Sequence, residues 1–414
     1  MNVPLQRLRE LSRPNAGWGV LAAAVALVCM GIAAIDTTDQ AREPVTGFAA
    51  RQTLWAMVGL AALLLCLLPR PRAVGLMAVP VMILSLLLLA VITLPMMPRS
   101  IVPVINGARS WIDFQVMRFQ PSEMGKVAFI LCIAWYLHWR DSYRTFRGLL
   151  VPFGIMVLPV ALILREPDLG NSMLLVPVMF AMLLVAGAKL RHLLPIIGIG
   201  VAAVVIVMGS VFFLPDSMQV LRKYQRDRIE SMVLQTFYND RRYAQSVGYQ
   251  QDRAVVVVGA GGWDGYGADR AATMLRFNRI PENHTDMIFA VVCLRWGLVG
   301  GGALLGIFAF MILCMLRVAA VNRDPFARLA IVGFAALLIC QLVINVGMAL
   351  GILPVMGVVL PLVSYGGTSL LMCAIMVGLT VNFASRRPAM LARPSFEFDQ
   401  VPLSVPRTAP WNTP

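Results

Sequence analysis

Charge is what this chain has little of. Only 14% of its 414 residues are Asp, Glu, Lys or Arg, where soluble domains carry about 25%. With 59% hydrophobic residues and a mean hydropathy of +0.76, that scarcity excludes a soluble globular protein. Period-two alternation is missing from the apolar runs, which excludes a lipid-facing β-barrel and leaves helices as the spanning form. No CxxC pair occurs. The seven Cys (29, 66, 132, 293, 314, 340, 373) fall in or beside apolar runs without metal-ligand spacing, and read as small apolar fillers. The run Val255 to Gly262 begins like a dinucleotide-binding loop, but Asp264 stands where the third glycine of GxGxxG is needed. A surface or re-entrant helix packed on a bundle is expected there instead. No internal repeat supports an inverted-repeat transporter.

The apolar runs predict an all-α, polytopic membrane protein of about ten transmembrane helices, at roughly 20 residues per span. The expected spans are about 17–35, 53–68, 73–95, 122–138, 148–164, 171–187, 193–214, 287–316, 327–350 and 357–384. The first run is longer than a signal-peptide core, and many spans follow, so an uncleaved helix is expected. Lys and Arg concentrate in alternate connections: Arg7, Arg9 and Arg13; Arg70 and Arg72; Arg140, Arg144 and Arg147; Lys189 and Arg191; Arg317, Arg323 and Arg328; Arg386, Arg387 and Arg393. By the positive-inside rule both termini are expected in the cytoplasm. The formal charge of +14 follows partly from this bias, and its dispersal over short loops argues against nucleic-acid binding.

One membrane domain, 17–387, is expected between a cytoplasmic segment 1–16 and a cytoplasmic disordered tail, 388–414. Two long connections lie on the outer side, about 96–121 and 215–286, the second between helices 7 and 8. Within it, Gln219 to Phe237 has the pattern of an interfacial amphipathic helix.

Five polar clusters stand out. They are Asn106 to Trp111 followed by Arg118 to Lys126; Arg165 to Ser172; Tyr224 to Arg228; Pro281 to Asp286; and Pro361 to Ser369. Asp286 ends its polar run directly before an apolar one, and a carboxylate at the mouth of a membrane helix is costly when buried unpaired. On the residues alone two readings stay open. Thr285 or Asp286 caps the following helix, or Asp286 is a positioned acid–base group.

In their order and separations these clusters resemble the RodA/FtsW (SEDS) family, over almost all of the chain from about 106 to 387. The resemblance implies a membrane glycosyltransferase that polymerises lipid II into glycan strands outside the bacterial cytoplasmic membrane. It also implies a partner, a penicillin-binding transpeptidase with a single span. Asp286 matches the family's essential acid and would take the proton of the acceptor hydroxyl. The leaving polyprenyl pyrophosphate calls for cations, with Arg suited to forked phosphate contacts. Arg109, Arg118, Lys126, Arg226 and Arg228 are the candidates, each with snorkelling to headgroups as its alternative. Glu123 and Lys126, three apart, share a helix face and are expected to form a structural and regulatory pair, with a phosphate contact for the lysine as the alternative. Asp168 reads as a helix cap with substrate positioning as the alternative, and His284, among the candidate substrate contacts, as a polar neighbour that orients Asp286, with an acid or metal ligand as the alternative. Ser364 joins the candidate substrate contacts through its motif; Tyr365 and the adjoining glycines read as a close-packed bend. No cofactor is called for, and a divalent-cation requirement stays open.

Two stretches depart from the family pattern. Cys293-Leu294-Arg295-Trp296-Gly297 stands where an acidic pair is usual, and Met274 to Ile280 is more basic than usual. A flippase for lipid-linked precursors and an inactive transpeptidase scaffold are the rival readings.

Overall fold

Long apolar runs leave the backbone no partner but itself, and the chain folds accordingly as a helical bundle. The computed structural model describes residues 15–42, 44, 46–94, 97–98, 100–104, 109–114, 118–166, 168–213, 226–227, 229–231, 233–234, 248–278 and 280–386. In chain order the first helices are α1 (Ala16–Gln40), α2 (Phe48–Cys66) and α3 (Pro71–Thr93). A two-stranded antiparallel ribbon, β1 (Ile112–Asp113) and β2 (Arg118–Phe119), pairs Ile112 with Phe119. Then come α4 (Pro121–Trp139), α5 (Leu150–Arg165), α6 (Leu169–Ala186), α7 (Leu190–Phe213), α8 (Tyr249–Ala260) and α9 (Gly267–Asn278). The last three are α10 (Ile288–Val321), α11 (Pro325–Ala349) and α12 (Gly367–Ser385).

Nine of the described helices are long and apolar enough to cross a membrane. The tenth expected span is α4, whose first two turns carry Glu123 and Lys126 and which is largely buried within the bundle. Three of the starts carry a short polar cap, at Asn15, Asp168 and Asp324. Asn15 accepts from the Gly17 amide at 2.8 Å, and Asp324 from the Phe326 amide at 2.9 Å. The core lies where α10 runs along α1, α12 along α2, and α11 between α6 and α4.

Two spans differ from expectation. The segment predicted at 357–384 is helical only from Gly367. Positive φ at Gly357 (70°) and Leu362 (64°), with Pro361 between them, keeps 357–366 irregular. The segment predicted at 287–316 continues to Val321 and is broken at Gly297 (φ 66°, ψ −164°). An unbroken helix of 34 residues would be about 51 Å long, well beyond a hydrocarbon core of about 30 Å.

The break is filled from outside. α8 and α9 form a hairpin whose tip meets α10: the Leu298 amide donates to Gly262 O (2.8 Å), and the Tyr266 amide to Leu294 O (2.9 Å). These bonds replace ladder bonds that the break would leave open. The expected re-entrant or surface helix packed on the bundle is this α8. Of the amphipathic helix expected at 219–237, only Arg226, Asp227, 229–231 and 233–234 are described, and they are helical. The tail 388–414 and residues 1–14 lie outside the described residues.

Candidate functional site

Pro281 to Met287 is a turn, not the first turn of α10. The N-cap residue of α10 is Met287, which makes no side-chain cap hydrogen bond. Thr285 Oγ1 instead donates back to Glu282. The Thr285 hydroxyl therefore does not cap α10, and the turn that carries Asp286 is held from its sides.

Three successive carbonyls in that turn each accept from a different donor. The Tyr365 amide donates to His284 O (2.8 Å), Ser364 Oγ to Thr285 O (2.6 Å) and Asn345 Nδ2 to Asp286 O (2.9 Å). Asn345 Nδ2 also reaches Val358 O at 2.8 Å, and Ser364 Oγ accepts from the Leu360 amide at 2.9 Å. The irregular segment 357–366 is thus the cradle of the Asp286 turn. Gln52, 1% exposed inside α2, holds the cradle in turn: Nε2 donates to Ser364 O (3.1 Å) and Oε1 accepts from the Gly366 amide (3.2 Å). Gly357 brings its backbone beside the acid, and a Cβ there would stand 3.8 Å from Asp286 Oδ2. The Asp286 residue itself is half-buried.

His284 is clamped. Its ring stacks on Phe48 with centroids 4.4 Å apart and planes within 8°. Arg42 Nη2 lies 3.2 Å from His284 Nδ1 and donates to Asn283 Oδ1 at 3.1 Å. An arginine can only donate, so Nδ1 is the acceptor and the ring proton sits on Nε2. Burial, then the Arg42 charge, pushes the His284 pKa down to about 4, so the imidazole is neutral at pH 7.

A second polar cluster joins α4 and α6. Lys126 Nζ donates to Glu123 Oε1 (2.6 Å) and to Asn171 Oδ1 (2.7 Å), with both charged residues buried. Asp168 caps α6, accepting from the Asn171 amide (3.0 Å) and Nδ2 (2.7 Å), as the spacing suggested. Burial raises the Asp168 pKa. Glu166 is 1% exposed, and among the described residues neither carboxyl oxygen has a hydrogen-bond partner. Burial, reinforced by Asp168, pushes its pKa up to about 9, so it is protonated at neutral pH.

The clusters are joined through Thr368, one turn beyond the Asp286 cradle. Its Oγ1 donates to Arg118 O and accepts from the Gln120 amide, both at 3.2 Å, which seats the start of α4 against the start of α12. Arg118 itself pairs with Asp113 across the ribbon at 3.1 Å and is exposed. Arg109 Nη1 donates to Leu94 O at 3.2 Å. Arg226 is half-buried on its helical stretch, and Arg228 lies outside the described residues. The structure thus gathers Asp286, His284 and Ser364, and separately Glu123, Lys126 and Asp168. Ser364 uses its hydroxyl proton and one lone pair within the cradle. Among the described residues no group of three His, Cys, Asp or Glu side chains could hold a metal ion.

Sequence reasoning missed Asn345, Gln52, Arg42, Phe48 and Asn171. A signal existed for the amides: a single Asn or Gln inside an apolar span is costly unless it has a partner.

Residues 16–388 match the FtsW/RodA/SpoVE family, described as cell cycle proteins. The chain is 30% identical over 353 residues to a protein of Marinomonas mediterranea called "Probable peptidoglycan glycosyltransferase FtsW", covering 84% of this chain and 82% of that one. It is 32% identical over 282 residues to the peptidoglycan glycosyltransferase MrdB of Escherichia coli K12, covering 68% and 72%. Among solved structures, one reported for the coordination of polymerization and crosslinking by a peptidoglycan synthase complex superposes with a TM-score of 0.72 at 28% identity, covering 90% and 98%. The rod shape determining protein RodA of Thermus thermophilus superposes with a TM-score of 0.62 at 27% identity, covering 88% and 95%.

Proposed function

The chain belongs to the FtsW/RodA/SpoVE family, and from that premise we propose that it polymerises lipid II with Asp286 as general base. It is a polytopic membrane peptidoglycan glycosyltransferase. The Asp286 carboxylate takes the proton of an acceptor sugar hydroxyl, whose oxygen attacks the anomeric carbon of a lipid-linked strand. The bond from that carbon to the pyrophosphate oxygen breaks, and polyprenyl pyrophosphate leaves with the electron pair.

The observation that carries this reading is the triple fixation of the turn. Proton abstraction needs a carboxylate held within hydrogen-bond reach of its target, and three consecutive anchored carbonyls remove the backbone freedom that would move it. Arg109, Arg118, Lys126 and Arg226 are the cations proposed for the leaving pyrophosphate, with Glu123 and Asp168 setting the position of Lys126. The basic ends of the helices face the cytoplasm of a bacterial inner membrane, by the positive-inside rule, which puts Asp286 at the outer face. A single-span penicillin-binding transpeptidase is the proposed partner.

The test supplies labelled lipid II to the purified protein with such a partner and sizes the products on a gel. Long strands from the wild type and none from Asp286→Asn are expected. Strands that persist in Asp286→Asn remove it as the base. Translocation across liposomes without polymer makes the chain a flippase.

A further inference from the structure

At the basic end of the bundle, opposite Asp286, the ends of α1, α10 and α12 leave a cavity of about 240 Å³. Arg317, Arg323 and Arg386 line it above an apolar floor of Val318, Val321 and Phe383, and among the described residues no acidic side chain lines it. The nearby Asp324 commits its carboxylate to the amides of Phe326 (2.9 Å) and Ala327 (3.5 Å) at the start of α11. Arg386 is fixed by neutral acceptors, Asn382 Oδ1 and Leu68 O, both at 2.7 Å, so its charge is held in place without being neutralised. Arg317 and Arg323 are exposed and make no ion pair or hydrogen bond among the described residues. Three like charges around one hollow repel one another, and an anion relieves that repulsion.

The surface beside the cavity says what kind of anion. Trp18 (47% exposed) on α1 and Leu316 (39%) on α10 lie near lining positions in the chain, and with the lining residue Val321 (58%) they leave apolar surface exposed on membrane-spanning helices. A charged head between helices with an apolar track beside it fits a molecule with a phosphate and acyl chains.

We propose that this cavity binds the phosphodiester headgroup of an anionic phospholipid in the leaflet that meets the basic end, its acyl chains lying over Val321, Leu316 and Trp18. Arg317 and Arg323 supply the forked donors to the phosphate oxygens, and Arg386 adds charge from the cavity wall. The positive-inside bias needs basic residues on one side, but not the convergence of three of them on one hollow. The site stands apart from the polymerase reading. Only the naming of this leaflet as the inner one rests on the orientation proposed above.

The test reconstitutes the full chain in nanodiscs of phosphatidylglycerol and phosphatidylcholine and counts retained lipids by native mass spectrometry. About fivefold preference per guanidinium at the headgroup layer gives roughly 30-fold enrichment of phosphatidylglycerol for the pair Arg317 and Arg323. The double variant Arg317→Gln, Arg323→Gln loses that enrichment. Arg144→Gln with Arg147→Gln, an equal loss of charge at another basic connection, keeps it. Equal enrichment in wild type and the Arg317, Arg323 variant overturns the proposal. A second measurement needs no variant: inorganic phosphate is titrated against the wild type with bound lipid. Displacement of phosphatidylglycerol by phosphate alone would make this a free-phosphate site and overturn the lipid assignment; retention supports it.

Discussion

The side-chain amide of Asn345 stands 2.9 Å from the carbonyl oxygen of Asp286, binding the end of the candidate catalytic turn to the last stretch of α11. The same nitrogen reaches Val358 O at 2.8 Å, so one buried amide ties the acid's backbone to the cradle opposite. Both acceptors lose their donor if that amide is removed.

Asn345→Ala should therefore lower stability by about 1–3 kcal/mol, the cost of leaving buried carbonyls unpaired. Strand synthesis should fall further than folding does, because the turn is loosened at Asp286. Thermal denaturation in detergent, together with product length per folded protein, checks this. Full activity at normal melting temperature would contradict it.

His284 predicts a pH response with a definite sign. Its folded pKa of about 4 lies below the ordinary 6.5, so between these values the unfolded chain binds more protons. Stability is unaffected by this group above about pH 6.5 and is lost as pH falls towards 4, by up to roughly 3 kcal/mol. Arg42→Gln removes part of the cause and should flatten the slope. Melting curves from pH 7.5 to pH 5 on both proteins measure it.

Glu166 has the opposite slope. Its folded pKa of about 9 lies above the ordinary 4.5, so its stabilising contribution is full below pH 4.5 and is lost as pH rises towards 9. Glu166→Gln, which keeps the shape of the protonated acid, should raise the melting temperature at pH 8 more than at pH 5. A uniform shift at both values would rule out a neutral acid there.

Lys126→Met leaves Glu123 as an unpaired charge in the bundle and should cost about 3–5 kcal/mol. The double change Glu123→Gln, Lys126→Met should recover much of that loss. Melting temperature and strand synthesis per folded protein, measured on the three proteins, separate pairing from a phosphate contact. If the pair is only structural, the double variant regains activity with stability; if Lys126 meets phosphate, it folds but stays inactive.

Gly297→Ala tests the break in α10. The residue has φ 66°, and an added Cβ would strike the Trp263 carbonyl of the hairpin tip. The change should displace the α8–α9 hairpin and destabilise the protein by about 1–3 kcal/mol. Faster hydrogen exchange at the Leu298 and Tyr266 amides would report the loss.

The spans were legible because lipid forbids unpaired backbone, so an apolar run of sufficient length has only one structure available. Even α4, less apolar than the rest, was visible as a run. The ends were less legible. At 357–366 the residues are apolar enough to suggest helix, but Gly357, Pro361 and Leu362 turn the chain to meet the 281–287 turn, and that contact joins segments some eighty residues apart. The Lys126–Glu123 pair could be read from a spacing of three, and the Asp168 cap from its place before α6. Asn171 as second partner of Lys126 could not, since nothing local joins two helices.

The order of residues alone determined the class of protein, the helical spans, the basic side and the acid at the mouth of α10, since each follows from local hydropathy, charge or motif. Tertiary structure alone decided that the acid lies in a turn held by Tyr365, Ser364 and Asn345, that Arg42 and Phe48 clamp His284, and that Arg317 of α10, Arg323 of the α10–α11 connection and Arg386 just past α12 surround one hollow. The reason is geometric: hydropathy acts along the chain, whereas a hydrogen bond of about 3 Å between distant segments exists only once the helices have packed.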